Sequence, residues 1–228
     1  MTGVGFVAKT AALARKDLRV ESRGRDTLPP MLAFAFTVAL VLAFALPDAT
    51  RASAKVVAGF LWITVLFAGL IGFARTFEVE REEGALDALL LVPLDRSGIF
   101  FSKAAANLVF LALVEVLLVP VFGLFFGLDL SSWLMLVLVI VLVDLGFVAV
   151  GTLFAALAAQ TRSRELILPI LALPVLVPVF IAGVELSADL FAGAGFDEIA
   201  ARGWFGILLF FDAVFLVVGA LGFEFALE

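Results

Sequence analysis

The chain has 228 residues, 64% of them hydrophobic and 16% charged, with a formal net charge of −6 and a mean hydropathy of +1.21. A soluble domain is ~45–50% apolar and ~25% charged, and one of this length cannot bury so much apolar side chain, so a soluble fold and a disordered chain are both excluded. There is no Cys, no His and no Tyr, which removes disulfides, thiolate and imidazole metal sites and Ser–His or Cys–His nucleophiles, while the acidic balance argues against nucleic acid.

Residues 1–27 form the first unit. Residues 4–23 predict an amphipathic helix, with Val7, Ala11, Ala14 and Leu18 on one face and Lys9, Lys16, Arg19 and Arg23 opposite. Such a helix suits the interface of an anionic leaflet. Pro29 and Pro30 then turn the chain into the membrane.

Residues 28–228 read as a six-helix transmembrane domain. A span needs ~20 mostly apolar residues. Six stretches qualify: Leu28 to Leu46, Val56 to Ala74, Ala104 to Phe126, Trp133 to Leu157, Leu166 to Val184 and Trp204 to Phe225. The fold class is therefore all-α and polytopic. Twelve of the fifteen Lys and Arg fall before span 1 or in the loops after spans 2 and 4. The positive-inside rule then puts both termini in the cytoplasm.

The cytoplasmic loop 75–103 carries the densest charge. From Arg75 to Arg96 there are three bases and six acids, a local net of −3. Glu78, Glu82, Glu83 and Asp87 surround Gly84, and Leu86, Leu89 and Leu90 make a short apolar stripe. Acids beside such a stripe suit a groove with basic rims. A solvated loop touching the lipid surface is the plainer reading. The outer loop 185–203 is unusually apolar, with Leu186, Leu190, Phe191, Phe196 and Ile199. It reads as a pair of short helices dipping into the outer leaflet.

Inside the bilayer, Glu115, Asp144 and Asp212 lie near mid-span, while Glu224 can reach the interface. No Lys or Arg falls within these six stretches. An acid at such depth costs on the order of 3 kcal/mol to insert. Each is thus neutral and hydrogen-bonded to a neighbouring helix, or faces a wet path or a second subunit. Span 5 holds Pro169, Pro174 and Pro178, which predict a bent or hinged helix. Gly123 and Gly127 make a GxxxG pair at the end of span 3. No Walker motif is present, so ATP-driven work needs another chain.

These features resemble the haem exporter protein B (CcmB) family, the permease subunit of the cytochrome c maturation ABC transporter. The resemblance begins at Leu13-Ala14-Arg15-Lys16-Asp17-Leu18 and Glu21. It is strongest from Glu82 through Gly84, Leu86, Asp87, Pro93 and Leu94 to Lys103. It continues through Leu173-Pro174 and Pro178-Val179-Phe180 to Phe223-Glu224-Phe225. It implies an ABC-2-type permease of six helices with an amphipathic N-terminal helix. It also implies that Glu78, Glu82, Glu83, Gly84, Leu86, Asp87, Leu89 and Leu90 couple to a separate ATPase dimer. Further implied partners are a haem-handling membrane subunit, a small single-span subunit and, indirectly, a periplasmic haem chaperone. The implied location is the bacterial inner membrane.

On this reading the chain is not an enzyme. It binds no cofactor or metal alone, ATP acts through a partner, and haem is the substrate of the complex. Only Met1, Met31 and Met135 could offer haem iron a non-oxygen axial ligand. An ABC-2 permease for a lipid or drug stays open, as does a non-transporting scaffold that relays ATPase motion to a haem-handling partner.

Overall fold

The computed structural model describes residues 3–24, 26–51, 53–77, 95–159, 161 and 164–226. Among the described residues the chain is helical throughout. The helices in order are α1 (Gly3–Gly24), α2 (Leu28–Ala45), α3 (Asp48–Arg51), α4 (Ala54–Thr76), α5 (Arg96–Phe126), α6 (Trp133–Ala159), α7 (Arg164–Phe191), α8 (Phe196–Ala201) and α9 (Trp204–Ala226). Six of them, α2, α4, α5, α6, α7 and α9, are long and apolar enough to cross a membrane. The expected polytopic all-α architecture is what the chain adopts.

The start of α2 is built by α1. The first N–H groups of a helix have no internal acceptor. Here the Glu21 carboxylate accepts from the backbone N–H of Thr27 at 3.0 Å and of Leu28 at 2.8 Å. Pro29 and Pro30 fill the first turn, where a missing N–H costs nothing. At the other end of the bundle α5 stops at Gly127, whose left-handed backbone (φ 63°) returns its N–H to the Gly123 carbonyl at 3.0 Å. Gly123 itself lies under the Leu130 side chain. The GxxxG pair is thus a helix stop rather than a helix–helix seam. Asp129 then accepts from the Ser131 N–H at 2.8 Å, which fixes the turn into α6 and holds its carboxyl below the ordinary carboxylate range.

The core sits between α4 and α6, the two most enclosed spans. Helix α6 packs on α4, α5, α7 and α9, and α4 also packs on α2, α5 and α7. Helices α2 and α9 lie at the periphery. Exposed Phe44, Leu124 and Phe210 turn outward, as lipid-facing side chains do.

Two boundaries and the outer segment differ from the expectation. The third span was expected from Ala104, with 75–103 as loop, but α5 already begins at Arg96. Lys103 lies two turns inside it because Asp17 of α1 supplies an acid partner at 3.0 Å. The fifth span was expected to end at Val184, but α7 runs to Phe191. Its added turns carry Glu185 and Asp189, which pair with Lys55 and Arg202. The outer segment 185–203 is therefore not two short helices in a leaflet. Its first third continues α7, and Leu186, Leu190, Phe191 and Ile199 are buried in the protein.

Helix α1 turns only part of its expected face, Ala14 and Leu18, inward. Ala14 is buried, and Phe6, Lys9, Thr10, Leu13, Asp17, Leu18 and Glu21 are partly buried, on a helix that packs along α5. Val7 is 67% exposed and Ala11 is exposed as well. Packing against α5 rewards a stripe that includes Asp17, because Lys103 waits for it. Hydrophobicity alone could not select that face.

Candidate functional site

The side of the bundle that carries α1 frames the segment 78–94. The expected coupling residues Glu78, Glu82, Glu83, Gly84, Leu86, Asp87, Leu89 and Leu90 lie outside the described residues. The two anchors of that segment are described. Phe77, which ends α4, is buried. Its ring lies 6.1 Å from that of Phe223 in α9, and Phe223 lies 5.6 Å from Phe100 in α5. The Lys103 ammonium sits 5.7 Å from the centre of the Phe77 ring while it pairs with Asp17. Asp95 stands at the N-cap position of α5 without a side-chain capping bond, and its carbonyl accepts from the Gly98 N–H at 2.8 Å. The Phe77 end of the segment thus grows from a cluster that joins α1, α4, α5 and α9, while Asp95 at the other end is exposed.

One layer deeper, three spans are tied by a polar chain. The Thr76 hydroxyl donates to Asn107 Oδ1 at 2.8 Å, and Asn107 Nδ2 donates to Thr152 Oγ1 at 3.0 Å. This links α4, α5 and α6 in the low dielectric where such bonds are strong. The sequence reading missed it. The signal was available: Asn107 is the single asparagine of the chain and stands in an apolar run.

The three mid-span acids are all buried, Glu115 at 3%, Asp144 at 1% and Asp212 at 5% exposure. They do not form one cluster. Glu115 of α5 and Asp144 of α6 lie side by side and line the same groove between those helices. Apart from each other, neither oxygen of Glu115 nor Oδ1 of Asp144 has a hydrogen-bond partner among the described residues. Asp212 of α9 is elsewhere. Its carboxyl rests on the bare backbone of Gly146, beside Phe211 and Val179. Gly146 is two residues from Asp144, roughly 200° around α6, so Asp212 approaches that helix from the far face.

The three prolines do not break α7, which runs uninterrupted through Pro169, Pro174 and Pro178. Each one leaves the carbonyl four residues earlier without its helical donor. Pro174 and Pro178 are exposed. Pro174 joins Gly59, Trp62, Leu173, Phe180 and Val184 in lining an apolar groove of about 560 Å³ between α4 and α7. Its wall is pinned at one point. The indole N–H of Trp62 donates to Ser187 Oγ at 3.0 Å, and its ring meets Phe180 edge-on at 5.9 Å.

Among the described residues no group of three or more Asp or Glu is placed to share an ion. Of the two described methionines, Met31 is buried with its sulfur against Gly72, and Met135 is partly buried in α6.

Comparison with known proteins agrees with the geometry. Residues 8–228 match the profile of the CcmB protein family. The chain is 32% identical over 175 residues to "Heme exporter protein B" of Rhodobacter capsulatus, covering 77% of this chain and 80% of that one. It is 31% identical over 210 residues to the protein of that name from Paracoccus denitrificans, covering 92% and 93%. The Bradyrhizobium diazoefficiens protein is 28% identical over 92% of both chains. With nearly its whole length matched and six membrane-crossing helices in place, this chain is a member of the CcmB family.

Proposed function

We propose that the chain is the transmembrane permease subunit of an ABC transporter complex that exports haem, or drives release of its haem chaperone, during cytochrome c maturation. The observation that carries this is the match over residues 8–228 together with relatives named heme exporter protein B. In this reading a separate cytoplasmic ATPase dimer hydrolyses ATP and engages the segment 78–94. Its acids and Leu86, Leu89 and Leu90 suit a basic-rimmed groove. The anchors Phe77 and Asp95 would pass that motion to α4 and α5. The charge distribution supports both termini being cytoplasmic in a bacterial inner membrane.

Haem would be handled with partners rather than held by this chain. The α4/α7 groove offers aromatic and aliphatic walls suited to a flat apolar macrocycle. Its lining includes no residue able to ligate iron through nitrogen or sulfur, apart from the indole of Trp62, which is a donor only. Axial ligands are therefore assigned to a haem-handling membrane subunit. A small single-span subunit and a periplasmic chaperone complete the expected set. In the scaffold alternative, ATPase motion reaches a partner and haem never crosses this chain.

The test is purification of the complex from its native operon, with haem spectra and ATP turnover measured with and without this subunit. The expected result is that omission abolishes haem-dependent ATP turnover. The chain purified alone should show no low-spin six-coordinate haem spectrum. A stoichiometric Soret band on the isolated chain, lost on Met135→Leu, would overturn the assignment of haem ligation to a partner. Unchanged turnover and cytochrome c maturation without the chain would overturn the permease role.

A further inference from the structure

We propose that the groove between α5 and α6 is a docking site for a transmembrane helix of a different subunit, which brings a lysine or arginine side chain to the Glu115–Asp144 pair. The groove encloses about 560 Å³ and is otherwise lined by apolar residues such as Leu108, Ala112 and Ile140. Its rim is open to the bilayer: Val116 is 68% and Trp133 62% exposed, and Val137 is exposed too. Glu115 lies eleven residues before Phe126, the last of α5, and Asp144 eleven residues after Trp133, the first of α6. At ~1.5 Å per residue both sit ~16 Å from that end of the bundle, in mid-hydrocarbon.

Two ionised carboxylates hold only acceptors and cannot bond each other. Both oxygens of Glu115 and Oδ1 of Asp144 are buried with no other described residue to bond, so the two carboxyls have only each other. The pair requires a proton or a cation. A lipid chain across the groove would supply neither. A second copy of this chain could not supply a cation, because residues 28–45, 56–74, 104–159, 166–191 and 204–226 contain no Lys or Arg. A foreign helix with a buried base gains most, since its own charge is costly at this depth until paired. Asp212, on the other face of α6, is outside the site.

The inference rests on the reading of the chain as one subunit of a larger transporter. ATPase co-purification and ATP turnover on the same preparations report on that reading separately. The probe is dicyclohexylcarbodiimide, which attacks protonated carboxyls in hydrocarbon. The chain expressed alone should be labelled at Glu115 or Asp144. In the native complex labelling should fall about tenfold or more, because an adjacent cation keeps the pair ionised. Equal labelling in both, with the ATPase still bound, would mean that the pair carries its own proton and would overturn only this inference.

The chain has no cysteine, so Val137→Cys gives a single attachment point for a benzophenone maleimide. Photolysis in the purified complex should yield an adduct to another subunit, at an apolar segment that contains Lys or Arg. An adduct only to lipid, or to a second copy of this chain, would overturn the proposal. The double variant Val116→Trp, Val137→Trp fills the rim while leaving the acids. It should lose that subunit at normal membrane abundance, and retention of the subunit would equally overturn the proposal.

Discussion

Lys103 shows how much one side chain can decide. A lysine at 3% exposure is stable only with an acid and a packed stem. Asp17 provides the acid at 3.0 Å and Phe77 the apolar face. Asp17 also touches Lys16 at 3.1 Å, so removal of Lys103 does not strand it completely. Breaking a buried pair from one side costs ~3–5 kcal/mol, and the second cation places Lys103→Met near the lower end. The double variant Lys103→Met, Asp17→Asn removes both charges and should recover part of that loss. Thermal unfolding in detergent, followed by tryptophan fluorescence, checks the order wild type, double, single. A single variant as stable as wild type would show that the pair is only a surface contact.

At the scale of elements, α4 and α6 interlock by a reciprocal exchange of rings and glycines. Phe73 of α4 presses on Gly151 of α6, and Phe147 of α6 presses on Gly69 of α4. The two rings then meet edge-on at 4.8 Å. Each glycine lies four residues from the ring on its own helix, so one turn of each helix carries both halves. A Cβ at Gly151 would overlap the Phe73 ring. Gly151→Ala should therefore destabilise by ~1–3 kcal/mol through overpacking. Phe73→Leu in the same chain makes room and should restore part of it, a coupling that a double-mutant cycle in detergent would read. Full additivity would mean that the helices simply move apart.

The six spans themselves were legible, because each is a continuous apolar run long enough to cross a bilayer. The ends of α5 and α7 were not. Residues 96–103 and 185–191 carry charges that hydropathy assigns to loops, and three of them, Lys103, Glu185 and Asp189, pair with Asp17, Lys55 and Arg202 from other elements. The depth of the acids was legible by counting along each span. Their grouping was not, since it depends on how each helix is rotated about its axis. Packing sets that rotation, placing Glu115 with Asp144 and leaving Asp212 on Gly146.

For the molecule as a whole, α1, α5, α4 and α9 meet in one block at the α1 side. Asp17 holds α5, Glu21 holds the start of α2, and Phe77, Phe100 and Phe223 join α4, α5 and α9. In the proposed coupling, a push on the segment between Phe77 and Asp95 would pass to α4 and α5, each of which lines one side of a membrane groove. If an ATPase engages this segment through charge, reversal of charge should release it. Glu82→Lys with Glu83→Lys turns the local net from −3 to +1 over Arg75 to Arg96. The buried Phe77 anchor is untouched, so the permease should still reach the membrane at normal abundance. ATPase retained on the membrane should fall at least several-fold, and wild-type retention should itself weaken as salt rises, since exposed charge pairs are screened over ~8–10 Å. Normal co-purification and normal cytochrome c maturation in the double variant, at any salt, would remove the acidic segment from the coupling surface and leave its leucines as the remaining contact.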